Sequence, residues 1–310
     1  MNVNPKLNVL LAMQVYARVV EAGTFTRAAD SLQMPKPTVT KLVQALESHL
    51  RMKLLNRTTR KVSVTPDGAA YYERATRLLG DLEDIESSVA NAQASPKGRL
   101  RVDAGGTIAT MFIIPALPAF VDRYPEIQLD FGVSDRMVDL VGENVDCVIR
   151  AGSLTEQEQS LVARHIGDLP WVTCATSKYL KRYGTPTHPS DLDSGHVIAA
   201  HVSARTGRVL PLVFERDGKR IEIEARHTVA VNESNAHLSA ARAGLGIAQM
   251  PAFMMKQAAL GELKPVLAVW QPGPIPVHVL YPANRHLSAK VRVFVDWIAA
   301  LFRESGLGRR

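Results

Sequence analysis

Three apolar stripes of helical period follow one another in the first fifty residues, and their spacing leaves few ways to fold them. Over residues 7–22, Val9, Leu10, Met13, Tyr16, Ala17 and Val20 lie on one helical face. Gly23 ends that helix, and Thr24 or Thr26 offers a hydroxyl to a free N–H at the start of the next. The second helix, about Phe25–Leu32, presents Phe25, Ala28, Ala29 and Leu32, and its two alanines permit close approach of another helix. Gln33-Met34-Pro35 makes a short turn, and Pro37 sits where a first helical turn tolerates proline. The third helix carries Val39, Leu42, Val43 and Leu46 as its stripe. Its opposite face holds Thr40, Lys41 and Gln44, with Lys36 and Thr38 near its start. Such a face lets side chains reach base edges while the stripe anchors the helix. An ordinary amphipathic helix would look similar, so neighbouring features must decide.

Charge is the first of these. Up to Pro66 the chain has ten basic residues against three acids (Glu21, Asp30 and Glu47), and beyond it basic and acidic residues balance. The entire net charge of +7 therefore lies in the first fifth of a 310-residue chain. Phosphate backbones are the usual partner for such a segment, because neutralising them releases counterions. A chain of this length suggests two or three domains, and a composition 46% hydrophobic and 22% charged is ordinary globular material. No apolar stretch reaches the roughly 18–20 residues of a membrane span, and Met1–Lys6 has no secretory pattern, so a cytoplasmic protein without membrane partners is expected. Cys147 and Cys174 match no metal spacing and read as buried thiols, with a redox pair as the alternative.

Residues 24–32 (Thr-Phe-Thr-Arg-Ala-Ala-Asp-Ser-Leu), 37–47 and 54–68, taken together, resemble the LysR-type transcriptional regulators. The resemblance extends more loosely over the rest of the chain. It implies a winged helix-turn-helix (all-α with a small β wing) over 1–66, a linker and dimerisation helix over 67–94, and an effector-binding domain over 99–310. The last would have a periplasmic-binding-protein-like α/β fold of two lobes, the first about 99–165 and 266–305, the second about 166–265. There are departures from the family's common residues: Pro35 for serine, Lys36 for glutamine, Arg51 for glycine and Leu55 for phenylalanine. Pro35 removes a capping hydroxyl, and none of the changes removes the positive face.

Strands at 55–57 and 61–65 around Thr58-Thr59-Arg60 resemble the wing, which would bring Arg57, Arg60 and Lys61 to phosphates or the minor groove and give affinity rather than sequence choice. The expected DNA-binding set is thus Thr26, Arg27, Lys36, Thr38, Thr40, Lys41, Gln44, Arg57, Arg60 and Lys61. Pro66 opens a helix capped by Thr65, along which Ala75, Leu78, Leu82, Ile85, Val89 and Ala92 recur at spacings of three and four. In the resembled family this helix pairs with its twin, so Leu78, Leu82, Ile85 and Val89 are the dimerisation candidates. A homodimer or tetramer on an imperfect palindrome of double-stranded DNA would follow, with RNA polymerase as a further partner. Residues 94–98 read as a hinge.

Beyond it, strands are expected at 100–104, 127–133 and 145–150 with helices at 107–124 and 135–141, an alternation that argues for a parallel α/β sheet. Asp217-Gly218 signals a hairpin between residues 213–215 and 221–223. The chain is then expected to return to the first lobe through 265–270 and 277–281, ending in a helix around 288–302. A cleft between two lobes suits a small ligand, and helix N-termini facing it suit an anionic one. Carrying family positions over gives Thr107, Ser134, Arg150, His201 and Asn232 as effector-binding candidates. Each has an ordinary surface or capping role as its alternative, and Arg150 an ion pair with Asp146 or another carboxylate. No cofactor is expected.

Three other readings compete. An enzyme would need a nucleophile, metal or phosphate motif, and neither GxSxG, HExxH nor a phosphate loop occurs. An α/β solute-binding module would leave the basic N-terminus unexplained. A DNA-binding protein that ignores sequence would leave the two lobes unexplained.

Overall fold

The computed structural model describes residues 7–57, 62–89, 96–155, 158–204, 206–257, 262–270, 272–283 and 287–307. The chain forms two compact units, Met1–Ala94 and Ser95–Arg310.

In the first unit, α1 (Val9–Ala22) starts at Asn8, whose side chain accepts from the Leu11 N–H, and stops at Gly23, with φ of 68°. Helix α2 (Phe25–Ser31) is capped by Thr24 rather than Thr26. Helix α3 (Lys36–Leu50) enters through Pro35, which gives no side-chain cap. Strands β1 (Leu55–Arg57) and β2 (Val62–Val64) pair antiparallel, and α4 (Pro66–Val89) follows. The Thr65 hydroxyl oxygen accepts from the Gly68 N–H at 2.9 Å and so caps α4. Val15, Val19, Ala28, Ala29, Val39, Val43 and Leu46 form the core, closed by Leu54 and Leu55. The first turns of α4 belong to this core. The Tyr16 hydroxyl donates to the Gly68 carbonyl at 2.9 Å, and its ring meets Tyr71 edge-on at 5.7 Å. A Cβ at Gly68 would come 2.0 Å from the Leu54 carbonyl oxygen, so only glycine lets the wing and α4 meet there.

Glu47 ties α3 to the wing, and Arg51 ends the helix. The Glu47 carboxylate is buried and accepts from the N–H groups of Leu54 (3.0 Å) and Leu55 (3.2 Å) and from Lys53 Nζ (3.1 Å). Burial pushes its pKa up, but the hydrogen bonds from Leu55, Leu54 and Lys53 outweigh this and hold it below the usual glutamate range. Arg51 caps the C-terminus of α3 with φ of 55°, a left-handed conformation in which a side chain is strained. The family's common glycine at this position has a physical reason here.

The second unit holds two lobes. The first lobe's sheet has the order β4-β3-β5-β14-β6, built from β3 (Gly98–Ala104), β4 (Ile127–Val133), β5 (Cys147–Ala151), β6 (Leu161–Leu169) and β14 (Ile275–Pro282). β3 runs parallel to β4 and β5, whereas β14 is antiparallel to β5 and β6, so the expected parallel sheet is mixed. From Gly106 the chain is helical to Arg123 in pieces: α5 (Gly106–Ile108), a π turn over Ala109–Ile113, a 3-10 turn and α6 (Leu117–Arg123). Phe120, Ile113 and Ile149 pack with Phe294, Ile298 and Phe302 of the last helix. The second lobe pairs β12 (Ala248–Pro251), β7 (Trp171–Thr176) and β13 (Leu263–Val266) antiparallel, and β8 (Ile198–His201) with β11 (His227–Val231) parallel. Its hairpin, β9 (Leu212–Arg216) and β10 (Lys219–Ile223), turns at Asp217 and Gly218, both at positive φ. Its helices are α7 (Ser177–Tyr183), α8 (Ser234–Arg242) and α9 (Ala252–Gln257), and the chain closes with α10 (Ala289–Glu304) in the first lobe.

Three further expectations are corrected. Residues 135–141 form bends and turns rather than a helix. The Asp139 carboxylate accepts from the N–H groups of Val141 and Gly142, and Arg136 pairs with Glu143; these local bonds compete with helix formation. The third strand starts at Cys147, because the Val145 N–H is turned to the Leu140 carbonyl. The crossings between lobes also move. Residues 166–169 finish β6 of the first sheet, whereas Val266, Leu267 and Trp270 pack in the second lobe's core, so the return begins only with β14.

Glu47→Ala strips the acceptor from two buried N–H groups, at a cost of about 2 kcal/mol. Hydrogen exchange at the Leu54 and Leu55 amides should accelerate roughly 30-fold. Because its folded pKa is depressed, Glu47 stabilises the unit above the glutamate range, and that contribution disappears as pH falls through the lowered value; Glu47→Gln should make protection of the same amides less acid-sensitive. Arg51→Gly should stabilise the unit by up to about 1 kcal/mol, read as slower exchange.

Candidate DNA interface and effector cleft

Helix α3 offers one face to solvent because the other is spent on the core. Val39, Val43 and Leu46 are fully buried, while Lys36, Thr38, Lys41 and Gln44 are exposed and Thr40 is half-buried. Thr26 and Arg27 are exposed at the start of α2, where the Arg27 N–H is held by the Thr24 hydroxyl oxygen. Arg27, Lys36 and Lys41 form no ion pair with a carboxylate among the described residues, which leaves their charges available to an external anion. Arg57 lies in β1 with its side chain outside the described residues, as do Arg60 and Lys61 entirely. Along α4, Leu78 is 49% exposed and Leu82 is half-buried. The side chains of Ile85 and Val89 lie outside the described residues.

In the second unit the structure brings most of the expected effector residues to the ends of the strands, and most already have partners. Arg150 Nη2 donates to Asp103 Oδ1 at 2.6 Å and to the Arg136 carbonyl at 3.2 Å. The same carboxylate oxygen accepts from the Ser134 hydroxyl at 3.4 Å. Arg150 therefore makes an ion pair, with Asp103 rather than Asp146. It also lines a cavity of about 170 Å³ in the first lobe with Arg136, Ser153, Thr155, Glu158 and His278. Arg136 and Glu143 pair tightly beside it, and that guanidinium holds the Glu143 carboxyl down at about 2.

Thr107 is buried at the start of α5, and its N–H donates to the Ser234 hydroxyl oxygen of α8 at 3.0 Å. His201 ends β8 with its ring 5.1 Å from that of His237. Burial lowers the pKa of His201, against the pull of Asp135 and Glu233, and lowers His237 to about 4, so both rings are neutral at pH 7. Asn232 is exposed ahead of α8 and joins none of these contacts.

Sequence reasoning missed the groups that connect the lobes. Asp135, expected inside a helix, accepts from the N–H of Gly106 at 2.7 Å and from that of Ser234 at 2.5 Å. Glu233 caps α8 by accepting from Asn235 and Ala236. Glu233-Ser234-Asn235 before an apolar run was a legible helix start; nothing local linked it to Asp135. Cys147 and Cys174 are both buried and unbridged, and burial pushes Cys174 up to about 12, so neither thiol is poised to react. No helix among the described residues is long and apolar enough to cross a membrane.

Two family models match the chain. Residues 10–69 fit the bacterial regulatory helix-turn-helix protein, lysR family, and residues 93–303 the LysR substrate binding domain. An HTH-type transcriptional repressor of Pseudomonas aeruginosa is 39% identical over 297 residues, covering 96% of this chain and 93% of the relative. The HTH-type transcriptional activator AaeR of Escherichia coli is 32% identical, covering 96% and 95%. Among solved structures, CrgA, a LysR-type transcriptional regulator from Neisseria meningitidis, is 30% identical with a TM-score of 0.58, covering 94% of this chain and 97% of its own. The full-length virulence activator AphB of Vibrio cholerae is 29% identical with a TM-score of 0.56, covering 94% and 98%. Both halves of the architecture and relatives over nearly the whole length agree: the chain belongs to the LysR-type transcriptional regulators, with a helix-turn-helix DNA-binding domain followed by an effector-binding domain.

Proposed function

We propose that this regulator binds an imperfect palindrome as a homodimer, or as a dimer of dimers, and reads each half-site with α3. The observation that carries this reading is the exposed Lys36, Thr38, Lys41 and Gln44 opposite the buried Val39, Val43 and Leu46. Lys41 and Gln44 meet base edges, with Thr40 beside them, while Thr26, Arg27, Arg57, Arg60 and Lys61 hold phosphates. Helix α4 pairs with its twin through Leu78, Leu82, Ile85 and Val89, which sets the half-site spacing. A small anionic effector, held by residues drawn from Thr107, Ser134, Arg150, His201 and Asn232, shifts the equilibrium between two placements of the DNA-binding heads and so the bend of the operator. The protein works in the cytoplasm, where RNA polymerase is a further partner, and no catalysis is involved. The relatives include a named repressor and a named activator, so the reading carries no sign.

A gel-shift titration of the full chain at fixed salt compares its own upstream region with random DNA. The upstream fragment should bind more tightly, and Lys41→Ala should cut that preference roughly 10-fold while leaving random binding nearly unchanged. Arg60→Ala should weaken both about equally. Equal loss on both DNAs for both variants contradicts the division of labour, and equal binding of both by the parent chain contradicts the functional reading.

A further inference from the structure

We propose that Asp135 is a clasp between the two lobes of the effector domain, a carboxylate that ties the second lobe to the first. The inference deepens the effector reading above and rests on it only for its consequence for ligand binding.

Asp135 follows β4 in the first lobe, and its two oxygens serve different lobes. Oδ1 accepts from the Gly106 N–H in the first lobe, and Oδ2 from the Ser234 N–H, which opens α8 in the second. Two further bonds cross beside it: Thr107 N–H to Ser234 Oγ, and the Thr110 hydroxyl to Asn235 Oδ1, both at 3.0 Å. Hydrogen bonds to an ionised carboxylate are roughly twice as strong as neutral ones, so Asp135 supplies the strongest of these crossings. The first turn of α8 keeps no spare backbone N–H at this end, since Glu233 takes those of Asn235 and Ala236.

The approach of the lobes depends on a missing side chain. A Cβ on Gly106 would lie 2.2 Å from Glu233 Oε1, 2.7 Å from Ser234 Oγ and 2.9 Å from Asn235 Nδ2. Any larger residue there must displace these three side chains, including the Glu233 carboxylate that caps α8. The neighbouring carboxylate Asp103 is already taken by Arg150, so the arginine does not compete for Asp135. An effector carboxylate seeking the Gly106 and Ser234 N–H groups has to displace Asp135, and a successful one replaces an internal clasp by its own.

The test reads the lobe separation directly in the full chain. Spin labels are placed on exposed positions of each lobe, Glu304→Cys on α10 and Lys219→Cys on the hairpin, and diluted with unlabelled chain so that only distances within one chain are seen. The buried native thiols stay unlabelled. Asp135→Asn, which turns an amide N–H₂ towards one of the two N–H donors, should shift the distance distribution and broaden it. Gly106→Ala should do the same by steric means, and circular dichroism melts confirm that both variants are folded. An unchanged distribution in both folded variants overturns the clasp. A change in Gly106→Ala alone also overturns it, since packing would then hold the lobes without the carboxylate. The measurement involves neither DNA nor effector. A shift in both variants of a chain that shows no operator preference would keep the clasp and remove the functional reading.

Discussion

Burial of Val39, Val43 and Leu46 on one side of α3 governs what the N-terminal unit can do. Each such side chain is worth about 2 kcal/mol out of water, so the helix cannot roll to present another face without losing most of its anchorage. Lys36, Lys41 and Gln44 are thereby held outward as a consequence of packing rather than as a separate design. The same core takes in Tyr16 and the first turns of α4, which couples the angle of the linker helix to the seat of the recognition helix. Glu47 extends the coupling to the wing through two backbone N–H groups. Recognition helix, wing and linker start thus share one core, and among the described residues of the unit Gln33 and Arg51 take left-handed backbone conformations.

The second unit solves a different electrostatic problem. Its carboxylates are used internally: Asp103 neutralises Arg150, Glu143 neutralises Arg136, and Asp135 and Glu233 saturate backbone donors at α5 and α8. The charge beyond Pro66 sums to zero because the acidic excess of residues 67–94 offsets a basic excess over residues 95–310, so the chain's surplus of positive charge lies before Pro66. Attraction to polyanionic DNA is therefore concentrated in residues 1–66, whereas Arg150, Arg136 and the Gly106 and Ser234 N–H groups of the second unit already have internal partners.

Local signals made much of this legible. The three stripes, Gly23, a threonine cap and the Asp217-Gly218 turn are short-range features, and α1, α2 and the hairpin fall within a residue or two of their expected bounds, with the third stripe inside α3. Periodicity misled where side chains took over the backbone's hydrogen bonds. Met137, Val138, Leu140 and Val141 suit a helix, but Asp139 and Glu143 hold them in turns. Long-range partners were invisible: Asp135 meets Ser234 across 99 residues, and β13 joins the second sheet through pairing with β7 that no local pattern encodes. Glu47 looked like any polar residue near a helix end, since its burial depends on where the wing returns.

The central claim is that the exposed face of α3 selects a sequence. Selection of bound duplexes from a random library by the full chain, followed by sequencing at fixed salt, addresses it without prior choice of a target. The account predicts an enriched motif of two related half-sites with a fixed spacing, lost when Lys41 and Gln44 are both replaced by alanine. Enrichment of no motif, or the same motif with and without those two side chains, would contradict it.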